Sequence, residues 1–113
     1  MTIAIHVEPH SERLAVVKLS GRLDLLSALE VKQKLAAVVG DGRPRLVVDL
    51  GDVSFIDSSG LGALISGLKA ARLAGGDLRI ARPDKQARYI LQVSTLERIL
   101  VPYATVEEAL ADY

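Results

Sequence analysis

Leu46-Val47-Val48-Asp49-Leu50 and Phe55-Ile56-Asp57-Ser58-Ser59-Gly60-Leu61-Gly62 frame the centre of the chain, where an apolar run of strand length hands over to an amphipathic helix. Leu61, Leu64, Ile65, Leu68 and Ala71 recur at the i, i+3, i+4, i+7 spacing of one buried helical face. Lys69 and Arg72 bring positive charge to the last turns, and Gly75-Gly76 offers the left-handed residues that end a helix at low cost. The spacing therefore predicts a helix from 58 or 59 to 74. Gly51, Asp52 and Ser54 favour turns, so the expected order is strand 46–50, loop, hydroxyl, helix.

A serine at a helix start has a plain task, because its oxygen can accept an orphan N–H of the first turn. Either Ser58 or Ser59 suits it. The same N–H groups and the positive end of the helix dipole also favour an anion, and a phosphoserine brings about −1.5 to −2 charge. Residues alone favour the plain cap, since capping serines outnumber regulated ones.

Catalytic motifs fail on named residues. A nucleophile elbow needs glycine two residues either side of its serine, whereas Ser58 has Ile56 and Gly60, and Ser59 has Asp57 and Leu61. A triad would have to recruit His6 or His10, both near the amino terminus and expected on a surface or edge strand. For a dinucleotide fingerprint starting at Gly60-Leu61-Gly62, the third glycine falls on Ile65, and no Gly-Lys-Ser/Thr triplet exists for a P-loop.

The chain has 113 residues, half of them hydrophobic, which fits one domain over 1–113 with a genuine core. Lys plus Arg and Asp plus Glu are 14 each, so there is no basic field for nucleic acid or an anionic membrane. Without cysteine there is no disulfide, thiol catalysis or cysteine-held zinc, and two histidines make a weak metal case; no cofactor or metal is expected. The start lacks a basic n-region and a long apolar stretch, so a soluble, cytoplasmic protein is expected.

Elsewhere, Thr2 to Val7 alternates with Ile3, Ile5 and Val7 on one side, and 14–19 is a second extended run; the two predict a hairpin across a turn at Pro9 to Glu12. Gly21 is expected to break that strand. Ser27 and Glu30 match a capping box opening a helix, with Ala28, Val31, Leu35, Val38 and Val39 on one face until Gly40-Asp41-Gly42 and Pro44. A strand at 77–81 and a short helix after Arg82-Pro83-Asp84 follow, the helix carrying Ala87, Ile90 and Leu91 inward. Residues 96–101 are ambiguous, with a short strand one option. Thr105 and Glu108 form a second box before a terminal helix whose face holds Val106, Ala109, Leu110 and Tyr113. This order predicts an α/β, α+β-like fold: a mixed sheet with helices packed largely on one face.

Gly21-Arg22-Leu23-Asp24, Leu46 to Leu50, the run from Val53 to Gly62 and the glycine pair before 77 together resemble the STAS domain, specifically the stand-alone anti-sigma factor antagonists. The resemblance covers nearly the whole chain and implies the STAS fold, with four to five strands and about four helices. It also implies a binding module, not an enzyme, switched by phosphorylation of the first serine of Asp-Ser-Ser-Gly, here Ser58. In such systems an anti-sigma factor with serine kinase activity holds a sigma factor inactive. The unphosphorylated antagonist binds that kinase and frees sigma, phosphorylation ends the association, and a metal-dependent serine/threonine phosphatase reverses it.

The resemblance places Asp57 beside the acceptor, either orienting the Ser58 hydroxyl in the kinase complex or serving as one more acid at a helix start. Asp24 is expected on an acidic, partner-facing rim, Ser59 as the structural cap or a hydrogen-bond donor within the loop, Gly60 and Gly62 at close backbone approaches or simply in tight helix packing, and Leu61 shared between core and docking surface. A monomer or weak dimer is implied. Two departures stand out: Thr95 in Ser94-Thr95-Leu96, where relatives commonly carry glycine, and Arg22, where they are often acidic. An accessory STAS subunit of a transporter or lipid-trafficking complex is the alternative, opposed by the intact Asp57-Ser58-Ser59-Gly60.

Overall fold

The computed structural model describes residues 3–111 and 113. Strands β1 (Ile3–Ser11), β2 (Leu14–Leu23), β3 (Arg45–Ile56), β4 (Asp77–Ala81) and β5 (Pro102–Tyr103) form one sheet in the order β1-β2-β3-β4-β5. β1 runs antiparallel to β2 and the other neighbours are parallel. Helices α1 (Ala28–Gly40), α2 (Ser58–Leu73) and α3 (Lys85–Val93) are the parallel crossovers, and α4 (Val106–Ala111) ends the chain. The expected mixed sheet and its four helices are present.

Alternation along the strands decides which helices lie where. Ala15, Val17 and Leu19 of β2 and Leu46, Val48 and Leu50 of β3 pack with Val31 and Leu35 of α1, Leu64 and Leu68 of α2 and Leu91 of α3. Their strand neighbours Val16 and Val47 point the other way and meet Ala109, with Val106, Leu110 and Tyr113 against them. Three helices thus cover one face and α4 part of the other. Tyr113 fixes α4 there: its hydroxyl lies 2.6 Å from the Leu46 carbonyl and 2.9 Å from that of Asp77, and accepts the Leu46 N–H at 3.2 Å. Burial holds this phenol well above its usual pKa, and Arg79 stacks 3.9 Å from its ring centre.

Several boundaries differ from the sequence expectation, each for a local reason. β1 continues through Pro9 to Ser11, leaving Glu12 and Arg13 as the hairpin turn; Thr2 lies outside the described residues. Gly21 does not end β2 but sits within it at φ +113. β3 runs on through Gly51, Asp52 and Ser54 because register shifts opposite 18–20 and 21–22 absorb the extra residues as bulges. Gly51 has a further reason to lack a side chain, since its Cβ would lie 2.3 Å from the Arg82 guanidinium carbon. That guanidinium grips buried Asp49 at 2.9 and 2.8 Å. Burial alone would raise the Asp49 carboxyl, but hydrogen bonds from Arg82 and the Gly51 N–H, aided by the charges of Arg82 and Lys18, hold it below its ordinary value.

The Ser27 capping box does not form. Ser27 Oγ is buried, donating to the Arg22 carbonyl at 2.7 Å and accepting the Asp24 N–H at 3.1 Å, so it knits the β2–α1 turn instead. Thr105 does accept the Glu108 N–H, at 3.1 Å. Residues 96–98 make one 3-10 turn, entered through Thr95 at φ +57. The turn that glycine would make without strain is kept here by a β-branched residue, which the left-handed region penalises by about 1–2 kcal/mol. Thr95→Gly is therefore expected to raise stability by about 0.5–1 kcal/mol after glycine's own entropy cost. The check is a higher urea midpoint at unchanged slope.

Candidate functional site

The site forms where the carboxyl ends of β2 and β3 meet the start of α2. β3 ends at Ile56 and only Asp57 separates it from the helix, so the expected loop between strand and helix reduces to one residue. Asp57 has extended φ, ψ of −116° and −174°, and its Oδ1 accepts the Gly60 N–H at 2.9 Å. It is the N-cap. Ser59, expected in that role, sits one position inside the first residue of the helix, where its side chain no longer reaches the orphan N–H groups. Asp84 caps α3 in the same way through the Ala87 N–H at 2.9 Å.

The second oxygen of Asp57 reaches across the chain. Oδ2 accepts the Leu25 N–H at 3.2 Å, while the Asp57 N–H donates to the Leu23 carbonyl, also at 3.2 Å. One carboxylate thereby fixes the start of α2 to the turn between β2 and α1. Gly60 makes the junction possible: a Cβ there would stand 2.2 Å from the Leu23 carbonyl oxygen. Gly62, expected to serve a similar approach, faces open space.

Ser58 is the first residue of the helix and is exposed. Among the described residues no hydrogen bond holds its hydroxyl, and the same is true of the half-buried Ser59. The Ser58 side chain is thus free to meet a second molecule. Asp24 is brought to the same turn, but its carboxylate faces inward instead of forming an acidic rim. Oδ1 accepts the Leu26 N–H at 3.1 Å, Oδ2 pairs with Arg22 Nε at 3.2 Å, and the residue is 9% exposed. Arg22 in turn lies 4.4 Å from the Phe55 ring centre, so the unusual cation is absorbed by one pair and one ring. Leu61 is buried in the core and offers no docking area.

What the turn does present was not singled out in the sequence. Leu25 and Leu26 in the turn, which the Leu25 amide ties to Asp57, and Leu29 at the start of α1 are 74%, 78% and 65% exposed, three large apolar side chains open to solvent. The available signal was the pair Leu25-Leu26 just before a helix whose buried face is set by Val31 and Leu35; neither leucine is needed for that face. Gln86 of α3 was also missed. Its carboxamide donates to the Ile56 carbonyl at 2.7 Å and accepts the Ile56 N–H at 2.9 Å. His6 and His10 lie on exposed β1, His6 beside Glu8 at 3.4 Å, away from this site. Among the described residues no cluster of potential ligands could hold a metal ion, and no helix is long and apolar enough to cross a membrane.

The fold is that of the STAS domain, whose family model matches residues 7–109; the chain belongs to that family. BtrV of Bordetella bronchiseptica, a candidate anti-sigma factor antagonist, is 30% identical over 98 residues, covering 87% of this chain and 84% of its own length. A candidate antagonist of Thermotoga neapolitana is 32% identical over 71 residues, so the match spans 63% of that relative. The crystal structure of an anti-sigma factor antagonist from Mycobacterium paratuberculosis is similar with a TM-score of 0.86 at 30% identity, covering 97% of this chain and 92% of that one.

The Asp57 bridge carries a stability prediction. Asp57→Ala removes the cap and orphans the Leu25 amide, and is expected to cost about 1–2 kcal/mol in urea unfolding. Asp57→Asn, which can still cap, is expected to cost less.

Proposed function

We propose that this protein is an anti-sigma factor antagonist: unphosphorylated, it binds an anti-sigma factor with serine kinase activity and so releases a sigma factor. Ser58 is the phosphoacceptor, and a serine/threonine phosphatase restores the binding form. The observation that carries this is the exposed, unbonded Ser58 hydroxyl at the start of α2, whose cap Asp57 also binds the amide of the turn that bears exposed Leu25 and Leu26. Relatives described as anti-sigma factor antagonists support the same assignment. The chain is substrate and ligand, and the partner supplies the chemistry.

In the transfer, the bond between Ser58 Oγ and the γ-phosphorus of ATP forms as the bond from that phosphorus to the β,γ-bridging oxygen breaks. ADP leaves with the electron pair, and the hydroxyl proton passes to a base of the kinase or to solvent. Asp57 is occupied as the cap, so its part is to place Ser58, while its charge adjoins the new phosphate and that of Asp24 is paired with Arg22. The helix dipole offsets some of that repulsion, by about 0.3–1 kcal/mol near a surface. Little intrinsic stability is gained or lost. The larger effect falls on binding, because a doubly charged group beside three leucines must stay hydrated and keeps a partner from closing over them. A penalty of about 2–4 kcal/mol there lowers affinity roughly 30- to 1000-fold.

Incubation with the cognate kinase and ATP, followed by mass spectrometry, is expected to find one phosphate on Ser58 and none on Ser58→Ala; full labelling of that variant removes the assignment. Leu26→Ala is expected to leave thermal stability unchanged and to weaken kinase binding by about 1–3 kcal/mol, read by titration calorimetry.

A further inference from the structure

β3 pairs with β2 as far as Leu23 opposite Ile56, but its pairing with β4 stops at Asp49 opposite Ala81. The last stretch of β3 therefore has one flank without a strand. The Ile56 N–H and carbonyl both face that flank, and the Gln86 carboxamide takes the two of them, accepting at 2.9 Å and donating at 2.7 Å. One side chain stands in for a neighbouring strand, with the donor and acceptor pattern of a backbone peptide. On the opposite flank the Asp57 N–H is held by the Leu23 carbonyl. The residue two positions before Ser58 is thus clamped from one side and the next residue from the other.

Ser58 depends on this because its own hydroxyl is held by nothing among the described residues. Its position is set by the backbone of 56 and 57 and by the capped helix that it opens. Gln86 is itself well anchored: Asp84 caps its helix, and Ala87 and Leu91 are buried in the core. We propose that Gln86 is a positioning residue for phosphoryl acceptance at Ser58, an inference that rests on Ser58 being the acceptor. Removing the clamp leaves the N–H and carbonyl of buried Ile56 without that partner, frays the end of β3 and spreads the Ser58 oxygen over several positions. Transfer from the nucleoside triphosphate needs that oxygen in line with the breaking phosphorus–oxygen bond, and an error of about 1 Å can cost on the order of 100-fold. Docking on Leu25, Leu26 and Leu29 does not involve Gln86.

The test compares the full chain with Gln86→Met, which keeps the length without the amide, and with Gln92→Met, at an exposed position on the same helix. Steady-state phosphorylation of Ser58 by the cognate kinase and ATP is measured at a temperature where each protein is folded, with amide exchange at 56–60 alongside. Gln86→Met is expected to lower kcat tenfold or more with KM within threefold, and to speed exchange at Ile56 and Gly60 at least tenfold; Gln92→Met is expected to behave as the parent. A Gln86→Met protein with the parent's kcat overturns the role of Gln86 alone. Absence of label from Ser58 in the parent overturns the acceptor assignment and this role with it. Should Gln86→Met fail to fold, Gln86→Glu, which keeps the acceptor and loses the donor, takes its place, and a kcat equal to the parent's overturns the inference.

Discussion

The Asp57 carboxylate is the constraint on which the site depends. Its two oxygens hold the Gly60 and Leu25 amides, groups that belong to segments far apart in sequence. Because one carboxylate does both, the first turn of α2 and the β2–α1 turn cannot move independently without breaking one of these bonds. Gly60 completes the junction by letting the helix come up against the Leu23 carbonyl. The consequence is a surface on which an exposed hydroxyl and three exposed leucines keep a fixed relation to one another. An acid placed as a cap thus organises the neighbourhood of the serine without bonding to it.

Of the two acids at the junction, Asp57 is held by backbone amides and Asp24 by a cation. Asp24 is paired with Arg22, and Arg22 is spread on Phe55. The Asp57 carboxylate is then the one unpaired charge at the start of α2 among these groups, and a phosphate on Ser58 would add a second, larger one beside it. That sharpens the physical contrast between the two states: leucines that a partner can cover in one, and a hydrated dianion among them in the other. The core beneath changes little in either case, since α2 buries Leu61, Leu64 and Leu68 away from this end's polar groups.

Much of this was legible from residue spacing. The faces of α1, α2 and α4, the strand at 77–81 and the position of Ser58 at a helix start all follow from apolar periodicity and hold in the structure. What escaped depended on tertiary partners. Ser27 reads as a cap but is drawn to the Arg22 carbonyl, and Gly51 and Ser54 read as turn residues but sit in bulges of a long strand. Asp57 and Ser59 are both acceptable caps, and only the length of β3 decides which one stands at the boundary. Gln86 has no local signal, because its role exists only where β4 stops short of β3. Thr95 was legible as a departure, and the structure gives its cost as a left-handed φ.

The account turns on phosphate at Ser58 acting through the apolar surface beside it. The most direct measurement is the dissociation constant for the cognate anti-sigma kinase, taken by titration on one preparation before and after stoichiometric phosphorylation of Ser58. A loss of affinity of roughly 30-fold or more on phosphorylation, with the unfolding midpoint little changed, is the result the account predicts. Equal dissociation constants for the two forms would contradict it.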